Sequence, residues 1–316
     1  MIGNGIFVDW ASGVVSAVSK IASAFIKRVI ADGGTVESKA CLETDLTYLT
    51  KYPISSSFDT DYQSVLNRAG VLGFTIPSAS QQTLQNRLVK TLKTFGVWNK
   101  LDVFYMFATN GDSDFATLNW KAPSSFQTTK VNSPTFTTDA GFSGNGSTAY
   151  LDTNFVISTD VQNYSQNNAS TFTYFESDLS QSDFAAYGVR DDIDPVKCRN
   201  QLRMRATDYR PSLNDQRRVT GTDFRSNKWH HQKRTSSTGF TTFLDNPGAT
   251  FANTIASTNP SGLDFSMRLL TLHFKDATGL SNLFGSAKGK IKSFGIGEAL
   301  DNTALKNAIN SYLTAI

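Results

Sequence analysis

The chain has 316 residues, 39% of them hydrophobic, which is enough to bury one large core plus a smaller appended unit. A formal net charge of +3 is too mild for a nucleic-acid binder, which carries a strong basic excess. Two distant cysteines, Cys41 and Cys198, exclude a disulfide framework and a zinc knuckle, so no cofactor is expected and synthesis in a reducing compartment is. The N-terminus lacks a basic region and an A-x-A cleavage site, and no apolar run reaches the roughly 18 residues of a membrane span.

Residues 1–31 read as an N-terminal helix. Val8, Ala11, Val15, Val18, Ala22, Phe25 and Val29 recur at alternating spacings of three and four, a heptad seam that wants a partner. Phe7, Trp10, Val14, Ala17, Ile21 and Ala24 broaden the apolar face, so three readings stand. The helix packs on its own chain, forms a homotrimeric bundle or docks into a larger assembly, or lies on a membrane surface. Asp9, Lys20, Lys27 and Arg28 leave too few basic residues on a polar face to favour the membrane.

Gly33-Gly34 break that helix, and residues 32–97 read as a helical linker region. Val36, Ala40, Leu42, Leu46 and Leu49 suggest one helix, Tyr62, Val65, Leu66 and Ala69 a short second, and Leu84, Leu88, Leu92 and Phe95 a third. Pro53 and Pro77 punctuate them, and the domain boundary is expected near residue 97.

Residues 98–316 read as an antiparallel β-sandwich. Leu101 to Ala108 is a short, aromatic-rich apolar run and so a buried strand. Further strands are expected at 171–175, 184–189, 228–234, 240–244, 265–274 and 290–296, with turns at Ser237-Thr238-Gly239 and Asp245-Asn246-Pro247-Gly248. The 23 phenylalanines suit packing between sheets. A closing helix buries Leu305, Ala308, Ile309, Tyr312 and Leu313, with Asp301 as its N-cap.

Several local sequences resemble a known superfamily. Gly141-Phe142-Ser143-Gly144-Asn145-Gly146-Ser147 followed by Tyr150-Leu151-Asp152-Thr153-Asn154-Phe155 resembles the opening of concanavalin A-like (laminin G-like) jelly rolls. Trp229-His230-His231 with the segment 240–245 resembles their paired central strands, and residues 290–300 with the following helix resemble the closing strand. Taken with the segment Arg28 to Glu37, the order is similar to structural proteins of bacteriophages, especially those of Bacteroidetes hosts. The resemblance implies a virion protein made in the host cytoplasm: a spike, fibre or tail component that displays a lectin-like domain. Its implied partners are other virion proteins, copies of itself as a homotrimer, and host surface polysaccharide. The family's calcium and sugar ligands find no residue-by-residue match.

Catalytic constellations are sparse. A jelly-roll glycosidase places its carboxylates as E-x-D-x-x-E, and Glu176-Ser177-Asp178 opens that pattern, but Gln181 and Ser182 stand where the closing glutamate belongs. His230 and His231 are adjacent on a strand and point to opposite faces, one expected in the core and one at the surface, so they do not share a metal. No G-x-S-x-G elbow and no phosphate loop occur, and the chain reads as a non-enzyme. Asp191-Asp192-Ile193-Asp194 supplies hard oxygen ligands of the kind calcium takes.

Charge is unevenly placed. Six acids and one base lie between Glu176 and Asp194, whereas ten bases and three acids lie between Arg199 and Arg234. Such blocks pair within a subunit or between subunits, or leave a basic surface whose arginine forks engage an anionic glycan. Arg217, Arg218 and Arg225 are the candidate contacts.

Overall fold

The computed structural model describes residues 58–193, 197–216, 223–245, 250–282 and 286–316. The heptad seam from Val8 to Val29, Asp194, Arg217 and Arg218 lie outside the described residues. The described helices are α1 (Thr60–Leu72), α2 (Ala79–Thr94), the single turn α3 (Ile157–Asp160) and α4 (Asn302–Leu313). In chain order the strands are β1 (Leu101–Met106), β2 (Thr129–Val131), β3 (Thr135–Thr137), β4 (Gly141–Ser143), β5 (Tyr150–Asp152), β6 (Ala169–Glu176), β7 (Asp183–Asp191) and β8 (Cys198–Arg205). They continue with β9 (Tyr209–Asp215), β10 (Trp229–Arg234), β11 (Phe240–Leu244), β12 (Phe251–Asn253), β13 (Arg268–Leu269), β14 (His273–Asp276), β15 (Gly279–Asn282) and β16 (Lys290–Gly297).

The strands form two sheets, and the chain is a mainly β protein built on a sandwich. The first sheet runs β12-β11-β10-β6-β16-β4-β3, with β1 also on β16. A bulge between Ile291 and Ser293 lets β4 and β1 share one side of β16, each on its own half. The second sheet runs β15-β14-β7-β13-β5-β2, with β8 and β9 continuing from β7. Its pairings are antiparallel except β14 on β7.

Helices make a third layer on the outer face of the first sheet. Period-two alternation sends Val103, Tyr105 and Phe107 between the sheets, and Phe104, Met106 and Ala108 toward the helices. That explains why the 101–108 run is apolar without alternating: both faces of β1 are buried. The helix-side core joins Tyr62, Val65, Leu88, Leu92, Trp98 and Trp120 to Phe172 and Trp229 of the sheet and to Leu305 and Ile309 of α4. A buried polar knot locks this layer. Tyr62 donates to Gln85 Oε1 at 2.8 Å, and Gln85 Nε2 donates to Thr109 Oγ1 and to the Tyr312 hydroxyl at 3.1 Å each. Tyr312 in turn donates to the Ala108 carbonyl at 2.7 Å.

The helices therefore correct the boundary expected near residue 97. Residues 58–316 form one compact unit, because α1 and α2 bury their apolar stripes on the sheet and not on each other alone. Asp301 caps α4 as the sequence indicates, accepting from the Ala304 amide at 2.8 Å, and the structure adds Ser78, which accepts from Gln81 at the start of α2. The strand expected at 265–274 is broken. Leu270 takes a φ of 66°, and the chain reverses there, so β13 lies antiparallel and β14 parallel to the same strand β7. No helix among the described residues is long and apolar enough to cross a membrane.

Gly295 shows how tightly the layers meet. A Cβ there would lie 2.4 Å from Cζ of Phe172, whose ring fills the space over β16. Gly295→Ala should destabilise the protein by about 2 kcal/mol through overpacking, read as a lowered urea midpoint with an unchanged slope. A variant as stable as the parent would show that the ring has room to move.

Candidate functional site

The helical layer covers much of the first sheet's outer face, and on the second sheet the charged side chains gather on β7, β8 and β9, several of them buried. On it β7, β8 and β9 are adjacent, with Asp183 opposite Arg205, Arg190 opposite Arg199, and Arg203 opposite Arg210. Cys198, Leu202, Met204, Tyr209 and Leu213 point into the core. Alternation then places Arg199, Gln201, Arg203, Arg205, Arg210 and Ser212 on the outer face.

The arginines gather into two groups. At one end Arg203 grips Asp183 through Nε at 2.8 Å and Nη2 at 2.5 Å, while Arg210 grips Asp208 through Nε at 2.6 Å and Nη2 at 3.0 Å. Arg205 bridges both carboxylates, with Nε 3.4 Å from Asp183 and Nη1 3.2 Å from Asp208. At the other end Asp192 receives Arg190 Nη2 at 2.7 Å and Arg199 Nη2 at 2.9 Å, and Arg190 lies 5.3 Å from the Phe274 ring centre. Four residues of strand separate Arg199 from Arg203, about 13 Å. Between them Gln201 is fully buried, and its side-chain amide has no hydrogen-bond partner among the described residues. Gly188 opposite it leaves room for Leu272, which would lie 2.3 Å from an added Cβ.

Much of the basic block is thus paired within the subunit, the first of the arrangements open to it. Hydrogen bonding from Arg210 holds Asp208 below the usual carboxylate range against the opposing effect of burial, with the charges of Arg210, Arg205 and Arg203 adding to it. Of the arginines on β7, β8 and β9, the most open to solvent are Arg205, whose side chain is 35% exposed, and Arg210, at 15%. Among the described residues, Arg205 Nη2 and Arg210 Nη1 take no part in these contacts.

Arg225 sits apart from the ladder. Its fork closes on Asp223, and Nη1 donates to the carbonyls of Leu179 and Gln181 at 3.3 and 3.0 Å, so it braces the β6–β7 turn. The hydrogen bond from Arg225 lowers the Asp223 carboxyl, and the same bond raises the guanidinium.

The other polar candidates resolve into structural roles. Burial pushes the Glu176 carboxyl up, but Lys292 at 3.0 Å and Lys228 at 3.2 Å outweigh it and hold the group ionised. Asp178 is lowered by the hydroxyl and amide of Ser180. Neither is a carboxyl kept protonated for acid catalysis. Both His230 and His231 are fully buried, which corrects the expectation of one at the surface: the helices cover the face that would otherwise meet water. His230 Nε2 donates to the Asn227 carbonyl and Nδ1 accepts from the Tyr209 hydroxyl, each at 3.0 Å. His231 Nδ1 donates to Asn302 Oδ1 at 3.0 Å and Nε2 accepts from Ser170 at 3.1 Å. The partners select opposite tautomers of two neutral rings. Among the described residues no three His, Cys, Asp or Glu side chains converge on a metal position, and Asp192 of the expected calcium loop is engaged by arginines.

Sequence reasoning missed β8 and β9 and so the ladder itself. The signal was present in Leu202-Arg203-Met204-Arg205, an alternation of period two hidden by the charge.

No protein-family model matches the chain, and no curated protein sequence matches it. Among solved structures, a Trypanosoma rangeli sialidase in complex with sialic acid is similar at 11% identity and a TM-score of 0.39, over 73% of this chain and 38% of that one. A mutant of HCR/D is similar at 10% identity and a TM-score of 0.42, over 68% and 52% of the two chains. The Ruminococcus gnavus IT-sialidase CBM40 bound to alpha2,3 sialyllactose is similar at 11% identity and a TM-score of 0.33, over 56% of this chain and 95% of that one. This chain thus spans about half or less of the first two. The fold class rests on the sheets themselves: a β-sandwich with a helical layer on one face.

Proposed function

We propose that the chain is a non-enzymatic virion structural protein of a bacteriophage, whose sandwich holds anionic host-surface glycan on the β7–β8–β9 face. The observation that carries this reading is the ladder of guanidinium groups on adjacent strands. Asp183 and Asp208 fix Arg205 and Arg210, the partly exposed forks, in place, so a ligand anion meets donors that lose little freedom on binding. Arg217 and Arg218, two and three positions after the end of β9 in sequence, are further basic candidates. The heptad seam from Val8 to Val29 is the trimerising or docking element, and trimerisation multiplies weak glycan contacts. The virion assignment draws on the order of phage-like segments in the sequence. The absence of catalysis draws support from ionised Glu176 and from the inaccessible histidines.

One experiment tests the reading. Full-length protein is passed over immobilised alginate, a carboxylated polysaccharide, and over neutral dextran at rising salt, and the eluted polymer is assayed for new reducing ends. Alginate should retain the protein, with retention falling as salt screens the contacts over about 8 Å at physiological ionic strength. Arg205→Ala with Arg210→Ala should weaken binding about tenfold or more, as should Arg217→Ala with Arg218→Ala. Equal retention on dextran, or indifference to both double variants, would overturn the glycan site. Reducing ends that vanish in Glu176→Gln would promote a glycoside hydrolase in its place. Mass spectrometry of purified particles decides the virion assignment.

A further inference from the structure

A groove of about 140 Å³ opens between α2 and α4, on the layer opposite the arginine ladder. Leu84 and Leu88 from α2, Ala308 and Tyr312 from α4 and Phe95 at one end give it an apolar floor, and Thr91, Asn307 and Ser311 add polar groups to its walls. Phe95 is 58% exposed, a large aromatic left in water at the edge of the groove. A cavity of this size takes one six-carbon group, as an engineered cavity of about 150 Å³ elsewhere takes benzene. It is too small for a helix and fits a single leucine-sized side chain.

The rim is basic. Residues 79–94 and 302–313 contain no acidic residue, and exposed Arg87 lines the groove. The complementary shape and charge occur on the same chain. In the β6–β7 turn Leu179 is 60% exposed, and Asp178 is beside it in sequence. The turn is held rigid: Asp178 accepts from the Ser180 amide at 2.9 Å and hydroxyl at 2.7 Å, and Arg225 clamps the Leu179 and Gln181 carbonyls. Asp223 neutralises that arginine. The knob is therefore an apolar side chain on a stiff, narrow turn with a carboxylate alongside.

We infer that Leu179 of one copy inserts into the α2–α4 groove of a second copy, with Asp178 facing Arg87. Leu179 is exposed and the groove is open on the same chain, so the two do not meet within one copy. They lie on different elements, so the contact is made either twice, reciprocally across a two-fold axis, or once per copy, head to tail in a ring or file. A single side chain in a single slot makes a weak contact, and it gains strength where copies are already held close together. The contact involves neither the heptad seam nor the arginine ladder.

Sedimentation equilibrium of the full-length protein over a hundredfold range of concentration tests it. Wild type should gain mass with concentration beyond its smallest species. Leu179→Glu, which puts charge in the slot, and Thr91→Trp, which fills it, should each weaken that step at least tenfold. Asp178→Lys should weaken it as well, and Asp178→Lys combined with Arg87→Glu should restore it, a result that general loss of stability does not produce. All these positions are exposed or partly exposed, and far-ultraviolet circular dichroism confirms that each variant is folded. Wild type with no concentration dependence, variants that associate like wild type, or a reversed charge pair that fails to rescue would each overturn the inference.

Discussion

Acidification from pH 7 to pH 4 should remove on the order of 6 kcal/mol of folding stability, most of it through His230 and His231. Burial is the dominant cause in both, lowering each ring to about 4 from an ordinary 6.5. The hydrogen bond to the Asn227 carbonyl and the charge of Asp245 oppose the shift at His230, and Asn302 and Asp301 oppose it at His231, where Lys233 adds to it. Above pH 6.5 both rings are neutral in the folded and the unfolded chain, and stability is at its full value. Between 6.5 and 4 the unfolded chain takes up protons that the folded one refuses, so stability falls as pH falls, by about 3 kcal/mol per ring. Below 4 both states are protonated and this contribution levels off. Burial also lowers His273, which acts in the same direction. The lowered carboxyls of Asp61, Glu176, Asp208 and Asp223 titrate below their ordinary values of 3.8 and 4.5, so the window from 6.5 to 4.5 belongs to the histidines. Urea midpoints across that window measure the slope. His230→Gln should roughly halve it whatever it does to stability at pH 7.5, and an unchanged slope would place the titrating groups elsewhere.

Arg234→Ala should cost about 3–5 kcal/mol, the penalty of removing one member of a buried charged network. The side chain is fully buried between the sheets and lies 5.3 Å from the Phe240 ring centre. Its Nε donates to the Leu213 carbonyl at 2.8 Å, and Nη1 donates to Ser236 at 3.3 Å and Ile255 at 3.1 Å. One guanidinium thus ties β9, the end of β10 and the segment after β12 together. Burial pulls its pKa down while the nearby Asp215 carboxylate pulls it up, and the charge persists because guanidinium starts so high. Alanine leaves three carbonyls without this donor and opens a cavity. Lysine should recover little, because a single ammonium does not span carbonyls from three segments. Chemical denaturation at pH 7.5 reads the effect, and a loss under about 1 kcal/mol for Arg234→Ala would mean that water replaces the guanidinium.

The elements legible in the sequence are those whose periodicity is local. Tyr62, Val65, Leu66 and Ala69 share one helix face, and Asp301 caps a helix that buries Leu305, Ile309 and Tyr312. Phe172 and Phe175 fall on opposite faces of one strand, as period two requires. The recognition candidates were only partly legible. The block from Arg199 to Arg234 was visible as charge, but the partner of each guanidinium depends on strand register, and Arg203 meets Asp183 only because β7 and β8 run antiparallel in that alignment. Arg225, a surface contact on sequence grounds, became a brace for the turn that presents Leu179.

Local sequence determined which residues alternate and where helices start, because those properties depend on neighbours a few positions away. Which faces are wet depended on contacts no local window contains. His231 is dry because α4, some seventy residues later in the chain, covers it: Asn302 lies 71 positions from it and accepts a hydrogen bond from its ring at 3.0 Å. Gln85 and Tyr312, 227 positions apart, meet at 3.1 Å and join the helices into one layer. Burial of the first sheet's outer face was decided by that tertiary packing, because a strand's own pattern cannot specify what will cover its second face.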